Sequence, residues 1–258
     1  MKAKEIISCL DEFCNPKLID SWDNTGFQIG NDDIDVSRIL LSLDIDERIV
    51  NKAINGSYQM LITHHPVLFK PVRSINNHNH LGRLILKLIS NNIVAYNAHS
   101  NLDLVIGGVN DVLANHLGIK KTKPLNLVVQ QQYGYGRVGE IEKTGVKEFL
   151  YHLKDVLSVD DIRVYGNTDI QISRVAVCGG SGGSFIQDAY NEGADIYITG
   201  DVKYHEAQFG LQLGLIIVDA GHFHTEKLIL PKLKEVLEEQ VGKNIYIDVD
   251  METSVSYK

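Results

Sequence analysis

Short apolar runs alternate with amphipathic stretches along the first half of the chain. Residues 3–14 carry apolar side chains at helical spacing, and Pro16 follows as a stop. Short apolar runs are typical of buried strands, and strands that alternate with helices predict a parallel or mixed sheet covered on both faces. The elements predicted for this half are a helix at 3–14, a strand at 37–45, a helix at 46–54 that Asp46 caps, a strand at 59–63, a helix at 81–90, a strand at 93–98 and a helix at 109–118.

Residues 120–136 interrupt this pattern with a proline, several glycines and a run of glutamines. Such residues are typical of loops and linkers, so we predict a junction near residue 125 and two domains, 1–125 and 126–258. The elements predicted for the second half are a helix at 146–157, strands at 162–166 and 172–178, a helix from about 184, a strand at 195–199, a further helix, a strand at 215–220, a helix at about 223–240 and a strand at 244–250.

The two halves resemble each other in layout. YQMLITHHP is similar to ADIYITGDVKYHE, and IVAYNAHSNLD is similar to LIIVDAGHFHTE. Each segment is a predicted strand that ends in a polar loop with histidine. The pattern therefore predicts an α/β protein of two similar domains with mixed, largely parallel sheets.

Composition predicts a globular protein of the cytoplasm. Hydrophobic residues make up 44% of the chain, but no apolar run reaches the ~18 residues of a membrane-spanning helix. The start, MKAKEIISCLDEF, is a poor signal peptide, and three scattered cysteines predict neither a disulfide framework nor a CxxC metal site. The formal net charge of −8 disfavours nucleic acid as a partner, because phosphate backbones are bound by clustered cations.

Imidazoles and carboxylates are concentrated directly after predicted strands. In open α/β sheets the usual ligand site lies outside the carboxyl ends of the strands. Nitrogen and carboxylate donors together suit zinc, manganese or iron. The residues at these strand ends are His64, His65, His99, Asp103, His205, Glu206, His222, His224 and Glu226. The candidate metal ligands among them are His64, His65, Asp103, His222 and Glu226.

The local spacing of these residues supports a metal site but leaves alternatives open. Two adjacent imidazoles at a strand end can spread around one cleft and bind two neighbouring ions. His222 and Glu226 are four residues apart and share one helix face, where a carboxylate can bridge two cations. Alternatively, the histidine pair is exposed or simply hydrogen-bonded, Asp103 caps a helix, and Glu226 lies at an ordinary helix start.

Two further stretches have more than one interpretation. VCGGSGGSF (177–185) is either a tight strand-to-helix turn or a phosphate cradle made of backbone N–H groups. Its cysteine, Cys178, is expected to be buried. SWDNTGFQIG (21–30) contains the only tryptophan, and we expect Trp22 to pack on the core; the alternative is a pocket lined by Trp22, Asp23 and Asn24.

Five motifs in a fixed order resemble one family. WDNTGFQIG, THHPVLF, AHSNLD, TGDVKYHEA and DAGHFHTE are similar to segments of the GTP cyclohydrolase 1 type 2 homologs, also called Nif-three-like proteins. The resemblance implies a two-domain protomer, a toroidal homohexamer built as a trimer of dimers, and a dinuclear metal centre in the cleft between the domains. Its double-His, Asn-Leu-Asp and Gly-His…Glu motifs fall on the same five candidate ligands. His99 and His205 match positions near the metals.

Two functions follow as hypotheses. In the first, two divalent ions per chain activate water for hydrolysis of a nucleotide-like small molecule, with ring opening of a GTP-like purine as the family name suggests. Glu226 would bridge the ions, and His99 or His205 would transfer protons. In the second, the same ligands bind metal without catalysis, and the protein is a scaffold for other proteins.

Overall fold

The computed structural model describes residues 1–129, 132–242 and 244–255. The chain forms two compact units. Unit 1 contains Met1–Val105 and Leu230–Lys258, and unit 2 contains Ile106–Ile229. No helix within the described ranges is long and apolar enough to cross a membrane.

Helices and strands alternate through both units. The strands are β1 (Gly26–Ile29), β2 (Arg38–Ser42), β3 (Met60–Thr63), β4 (Val94–Asn97), β5 (Lys120–Val129), β6 (Tyr133–Gly145), β7 (Arg163–Tyr165), β8 (Gln171–Ser181), β9 (Ile196–Gly200), β10 (Ile216–Asp219) and β11 (Tyr246–Val249). The α-helices are α1 (Ala3–Phe13), α2 (Glu47–Asn55), α3 (His80–Ser90), α4 (Ser100–Leu104), α5 (Val109–His116), α6 (Val146–Leu157), α7 (Ile186–Asn191), α8 (Tyr204–Gln212), α9 (His222–Glu226) and α10 (Ile229–Val241). Pro16–Leu18 and Gly183–Phe185 are 3-10 helices.

The sheet of unit 1 has the order β1-β4-β3-β2-β11. Strands β11, β2, β3 and β4 are parallel, and β1 is antiparallel to β4 at the edge. Every residue of β3 and β4 is buried, because helices cover parallel sheets on both faces. Leu61 of β3 packs in one core cluster with Ile49 of α2 and Leu84 of α3. The continuous apolar runs of the sequence are therefore explained by burial on both faces.

The sheet of unit 2 has the order β5-β6-β8-β9-β10-β7. Strands β8, β9 and β10 are parallel, β7 is an antiparallel edge strand, and β5 and β6 form an antiparallel ribbon. Neighbouring residues of β8 enter different cores, because side chains alternate between the faces of a sheet. Val175 and Val177 belong to one cluster, and Ala176 and Cys178 belong to the other.

Both units contain the same four-strand arrangement. In unit 1 the parallel strands β2, β3 and β4 follow an antiparallel edge strand, β1, that pairs with β4. In unit 2 the parallel strands β8, β9 and β10 follow an antiparallel edge strand, β7, that pairs with β10. The prediction of two similar α/β domains with mixed sheets is confirmed.

The segment 120–136 differs from the predicted linker. It contains β5 and the start of β6, although residues 130 and 131 of the glutamine run lie outside the described residues. Pro124 is tolerated because β5 is an edge strand, where a missing N–H need not break a ladder. A Cβ on Gly134 would lie 2.1 Å from the carbonyl oxygen of Asn126, so glycine permits the close approach of the two strands.

The unit boundaries also differ from the predicted junction near residue 125. They fall at 105/106 and 229/230, because β11 pairs with β2 and returns the end of the chain to unit 1. The buried carboxylate of Asp250 fixes this return by ion pairs of 2.8 Å with Arg48 and Lys52. The helix predicted at 223–240 is two helices, α9 and α10.

Candidate metal centre

Three imidazoles of unit 1 lie together where strands β3 and β4 end. The ring centroids of His64 and His65 are 4.9 Å apart. The ring centroid of His99 lies 5.2 Å from that of His64 and 5.7 Å from that of His65. Each ring offers one nitrogen within 4.8 Å of the others. We call these residues the three-histidine cluster. Three imidazole nitrogens at such spacing are a donor set that zinc and other divalent transition metals accept.

The parallel pairing of β3 and β4 brings the cluster together. Thr63 at the end of β3 is in register with Asn97 at the end of β4, so the loops that follow them emerge at the same sheet edge. The N–H of His65 donates to the carbonyl of Leu43, 2.8 Å away, and the Thr63 hydroxyl donates to the carbonyl of His65. These bonds fix the turn in which the two adjacent imidazoles diverge.

Hydrogen bonds to Nδ1 set the tautomer of each imidazole in the cluster. Nδ1 of His64 lies 2.8 Å from the carbonyl oxygen of Ala98, which can only accept, so this nitrogen carries the proton. Nδ1 of His65 lies 2.8 Å from Asp44 Oδ1, and Nδ1 of His99 lies 2.8 Å from Asp23 Oδ1. With Nδ1 protonated in this way, the nitrogen that each ring can offer to a metal is Nε2, which is the usual arrangement of histidines that bind metals.

Asp103 on α4 is placed beside this cluster. Its Oδ1 lies 3.7 Å from His64 Nε2. Two donors bound to one ion at about 2.1 Å with tetrahedral angles are about 3.4 Å apart, so the observed separation suits a shared ion. The first N–H of α4, that of Ser100, donates to Asp23 at 3.1 Å. A carboxylate from outside the helix thus caps α4.

Unit 2 carries a donor pair of its own on α9. His222 and Glu226 share one helix face, and His222 Nε2 lies 3.2 Å from Glu226 Oε2. Nδ1 of His222 lies 2.7 Å from Oδ2 of Asp201, in the loop that follows β9. The side chain of Glu226 is buried. The pattern of unit 1 is repeated here, with Nδ1 held by an acceptor and Nε2 beside a carboxylate.

Glycines of the VCGGSGGSF segment make room for this pair. A Cβ on Gly180, which has a φ of +67°, would lie 2.1 Å from Glu226 Oε1. The amides of the segment are bound by side chains of unit 2. The N–H groups of Gly179, Gly180 and Gly182 donate to Asn110 Oδ1, Thr225 Oγ1 and Thr199 Oγ1. These contacts favour the tight-turn interpretation over the phosphate cradle. Cys178 is buried, as expected.

The structure assigns roles that the sequence analysis did not predict to three carboxylates, and it places one tryptophan differently from the expectation. Asp23, Asp44 and Asp201 orient histidines, and a search for acceptors near strand ends would have found Asp44 and Asp201. Trp22 is 58% exposed and does not pack on the core as expected. Its ring lies 5.9 Å from that of His99, which agrees with the alternative of a pocket.

The remaining candidate, His205, lies on α8 and is exposed. Its ring contacts that of Tyr204, with 5.2 Å between the centroids. It belongs to no group of three or more metal-donor side chains among the described residues. A role for His205 in proton transfer stays a prediction.

Burial and hydrogen bonding act in opposite directions on Asp23. Burial alone would raise the pKa of this carboxyl, but hydrogen bonds from His99, Ser100 and Thr25 outweigh it and hold the pKa well below its usual value. Asp23 is therefore a carboxylate at neutral pH, and it accepts a hydrogen bond from the Nδ1–H group of His99.

Two similar α/β units with oriented metal-donor side chains at their strand ends define the class of this protein. The chain belongs to the Duf34/NIF3 (NGG1p interacting factor 3) family, whose model matches residues 1–256. It is 35% identical over 264 residues to a "GTP cyclohydrolase 1 type 2 homolog" from Clostridium acetobutylicum, covering 100% of this chain and 98% of that protein.

Solved structures of related proteins have the same fold. A Bacillus cereus protein related to NIF3 superposes with a TM-score of 0.94 at 26% identity, covering 100% of this chain and 99% of the other. Reduced HcgD from Methanocaldococcus jannaschii superposes with a TM-score of 0.85 at 33% identity, covering 96% of this chain and 97% of the other. The family resemblance read from the five sequence motifs is confirmed.

Proposed function

We propose that the protein binds two divalent ions per chain and uses them to hydrolyse a nucleotide-like substrate. The ligands are His64, His65, Asp103, His222 and Glu226. The observation that carries the proposal is the repeated geometry of the two units. In each, an imidazole Nε2 faces a carboxylate oxygen, at 3.7 Å in unit 1 and 3.2 Å in unit 2, while Nδ1 is held by an acceptor.

The donor chemistry suits zinc, manganese or iron. Imidazole is a borderline donor that all three ions accept, and Glu226 would hold metal through its carboxylate, with the bridging position expected from the sequence. When bound, such ions act as Lewis acids and make water a competent nucleophile near neutral pH.

The side chains around the ligands have separate tasks. Asp44 and Asp201 hold the rings of His65 and His222 in place. Asp23 holds His99 by a hydrogen bond to Nδ1. This leaves Nε2 of His99 available to accept or donate a proton. The name of the Clostridium relative points to a purine nucleotide as substrate and to opening of its ring.

Assembly into a homohexamer, built as a trimer of dimers, is part of the proposal and is supported by the sequence resemblance. Sedimentation velocity on the metal-loaded protein tests it directly. A species of six chains is expected, and a monomer or dimer over the whole concentration range would contradict it.

Metal-dependent turnover tests the enzymatic part. Metal-loaded protein is incubated with a panel of purine and pyrimidine nucleotides, and products are separated by chromatography. Glu226→Gln removes a ligand, and Glu239→Gln changes an exposed carboxylate of α10 as the matched control. The proposal predicts turnover that the control retains and Glu226→Gln loses. Stable metal binding without turnover of any substrate would instead support the scaffold hypothesis.

A further inference from the structure

Two large aromatic side chains are exposed beside the three-histidine cluster. Trp22 is 58% exposed and Phe69 is 48% exposed, although aromatic rings gain much from burial. Their ring centroids lie 6.2 Å apart, and the ring of His99 lies 5.9 Å from Trp22 and 6.2 Å from Phe69. We call Trp22, Phe69 and His99 the aromatic rim.

Hydrogen bonds connect the two loops that carry the rim. Asn24 Nδ2 donates to the carbonyl of Leu68 at 2.5 Å, and the N–H of Leu68 donates to Gln28 Oε1 at 2.8 Å. The side chain of Asp23 is fully buried and is bonded to His99. Polar contacts thus hold the rings in position while their surfaces stay accessible, which is what a preformed binding surface requires.

The loop that begins at Phe69 is cationic. Residues 48–102 contain no aspartate or glutamate, although the whole chain has a net charge of −8. Lys70 and Arg73 follow Phe69, are exposed, and make no ion pair with any residue in the described part of the chain. Two cations without an ion-pair partner among the described residues therefore follow Phe69 closely in the chain, and both are available to bind an anionic group.

We propose that the aromatic rim stacks a flat heteroaromatic ring of the substrate and that Lys70 and Arg73 bind its phosphate. The inference rests on the proposed function and identifies the residues that would select a nucleotide for it. Aromatic side chains stack on the face of any base, so they position a ring without fixing which base it is. His99 belongs to both the rim and the three-histidine cluster, so a ring stacked on the rim is held beside the imidazoles of His64 and His65.

The single tryptophan makes stacking directly measurable, because no other indole contributes to the emission. GMP, guanosine and ribose 5-phosphate are titrated into the metal-loaded protein while Trp22 fluorescence is recorded. Saturable quenching is expected with GMP and guanosine but not with ribose 5-phosphate. Equal effects of all three compounds, or none with GMP, would overturn the proposal. So would an indole that acrylamide cannot reach in the assembled protein.

Variants separate this inference from the proposed function. Trp22→Ala and Phe69→Ala are each expected to weaken GMP binding by roughly ten-fold or more, measured by calorimetry, whereas Trp22→Phe should retain most of it. Lys70→Ala combined with Arg73→Ala should weaken GMP binding and leave guanosine binding unchanged. Metal content is measured in parallel and should be equal in all variants. If Trp22→Ala has normal metal content and turnover and binds GMP with unchanged affinity, the stacking proposal is wrong while the proposed function stands. If the wild-type protein holds no metal, the proposed function itself is wrong.

Discussion

Asp23 and His99 are 76 residues apart in the sequence, and a hydrogen bond of 2.8 Å joins Oδ1 of the carboxylate to Nδ1 of the imidazole. The same carboxylate accepts bonds from the N–H and the hydroxyl of Ser100 and thereby caps α4. One buried side chain therefore orients a histidine of the cluster and begins the helix that carries Asp103. No local pattern in the sequence indicates this link.

Replacing the carboxylate of Asp23 tests how much it contributes to the stability of the fold. Asp23→Asn keeps the shape but places an amide where donors from His99, Ser100 and Thr25 converge. We expect the free energy of unfolding to fall by about 1–3 kcal/mol, because at least one buried donor loses its acceptor. Urea denaturation measures the change. Asp161→Asn, at an exposed position, is the control and should change stability little; equal effects of the two would contradict the assigned role.

Asp250 makes stability depend on pH. Burial would raise the pKa of this carboxyl, but hydrogen bonds from Arg48 and Lys52 lower the pKa to about 2. Because the folded pKa lies below the ordinary value, the stabilisation is full above about pH 4 and is lost as the pH falls towards 2. Asp250→Asn should therefore cost about 2 kcal/mol at pH 7 and progressively less below about pH 4.

Denaturation curves at pH 7, 5, 4 and 3 check this dependence on the wild type and on Asp250→Asn. Asp169→Asn breaks the exposed ion pair with Lys147 and should change stability little at any of these pH values, because solvent screens such a pair. A difference between wild type and Asp250→Asn that is the same at pH 7 and pH 3 would contradict the account.

Gly180 can be tested against a glycine that shares its backbone conformation. Gly180 and Gly214 have φ of +67° and +80°, and only at Gly180 would a Cβ meet a metal-donor side chain, namely Glu226. Alanine should cost each protein roughly 1 kcal/mol of backbone strain. Gly180→Ala should in addition displace the Glu226 carboxylate and lower metal content. Thermal unfolding and elemental analysis measure the two effects, and equal metal content in both variants would count against the close packing.

Asp201 allows a test of the orienting carboxylates. Its φ is +55°, a conformation that asparagine also adopts, so Asp201→Asn changes the charge without backbone strain. Loss of the carboxylate that binds Nδ1 of His222 should weaken metal affinity by about 10- to 100-fold. Competition with a chromophoric chelator measures the affinity. The same affinity in Asp201→Asn and wild type would show that the 2.7 Å contact does not orient the ligand.

Local physics accounts for the parts of the structure that the sequence predicts well. Helix α6 spans 146–157 as its spacing predicts, and Asp46 caps α2 by accepting from the N–H of Ile49 at 2.8 Å. The histidines of unit 1 meet because parallel strands end at one edge, which is a rule that needs only the strand assignments.

Pairing between segments that are distant in the chain accounts for the parts of the structure that the sequence does not predict. Strand β11 joins β2 across most of the chain, so no local signal assigns it to unit 1. Strand β5 contains Pro124, which is acceptable only because β5 is an edge strand. Trp22 is exposed although a lone tryptophan is expected to pack on a core, because its loop is held by the buried carboxylate of Asp23 and not by the indole.

Metal stoichiometry is the most direct test of the central claim. Elemental analysis of the protein purified without added metal should give about two equivalents of divalent transition metal per chain, with a marked loss in Glu226→Gln and in His64→Ala and none in Glu239→Gln. A wild-type protein that carries no metal and takes up none on titration, or a Glu226→Gln variant with the full wild-type content, would contradict the proposal that these side chains hold a pair of ions.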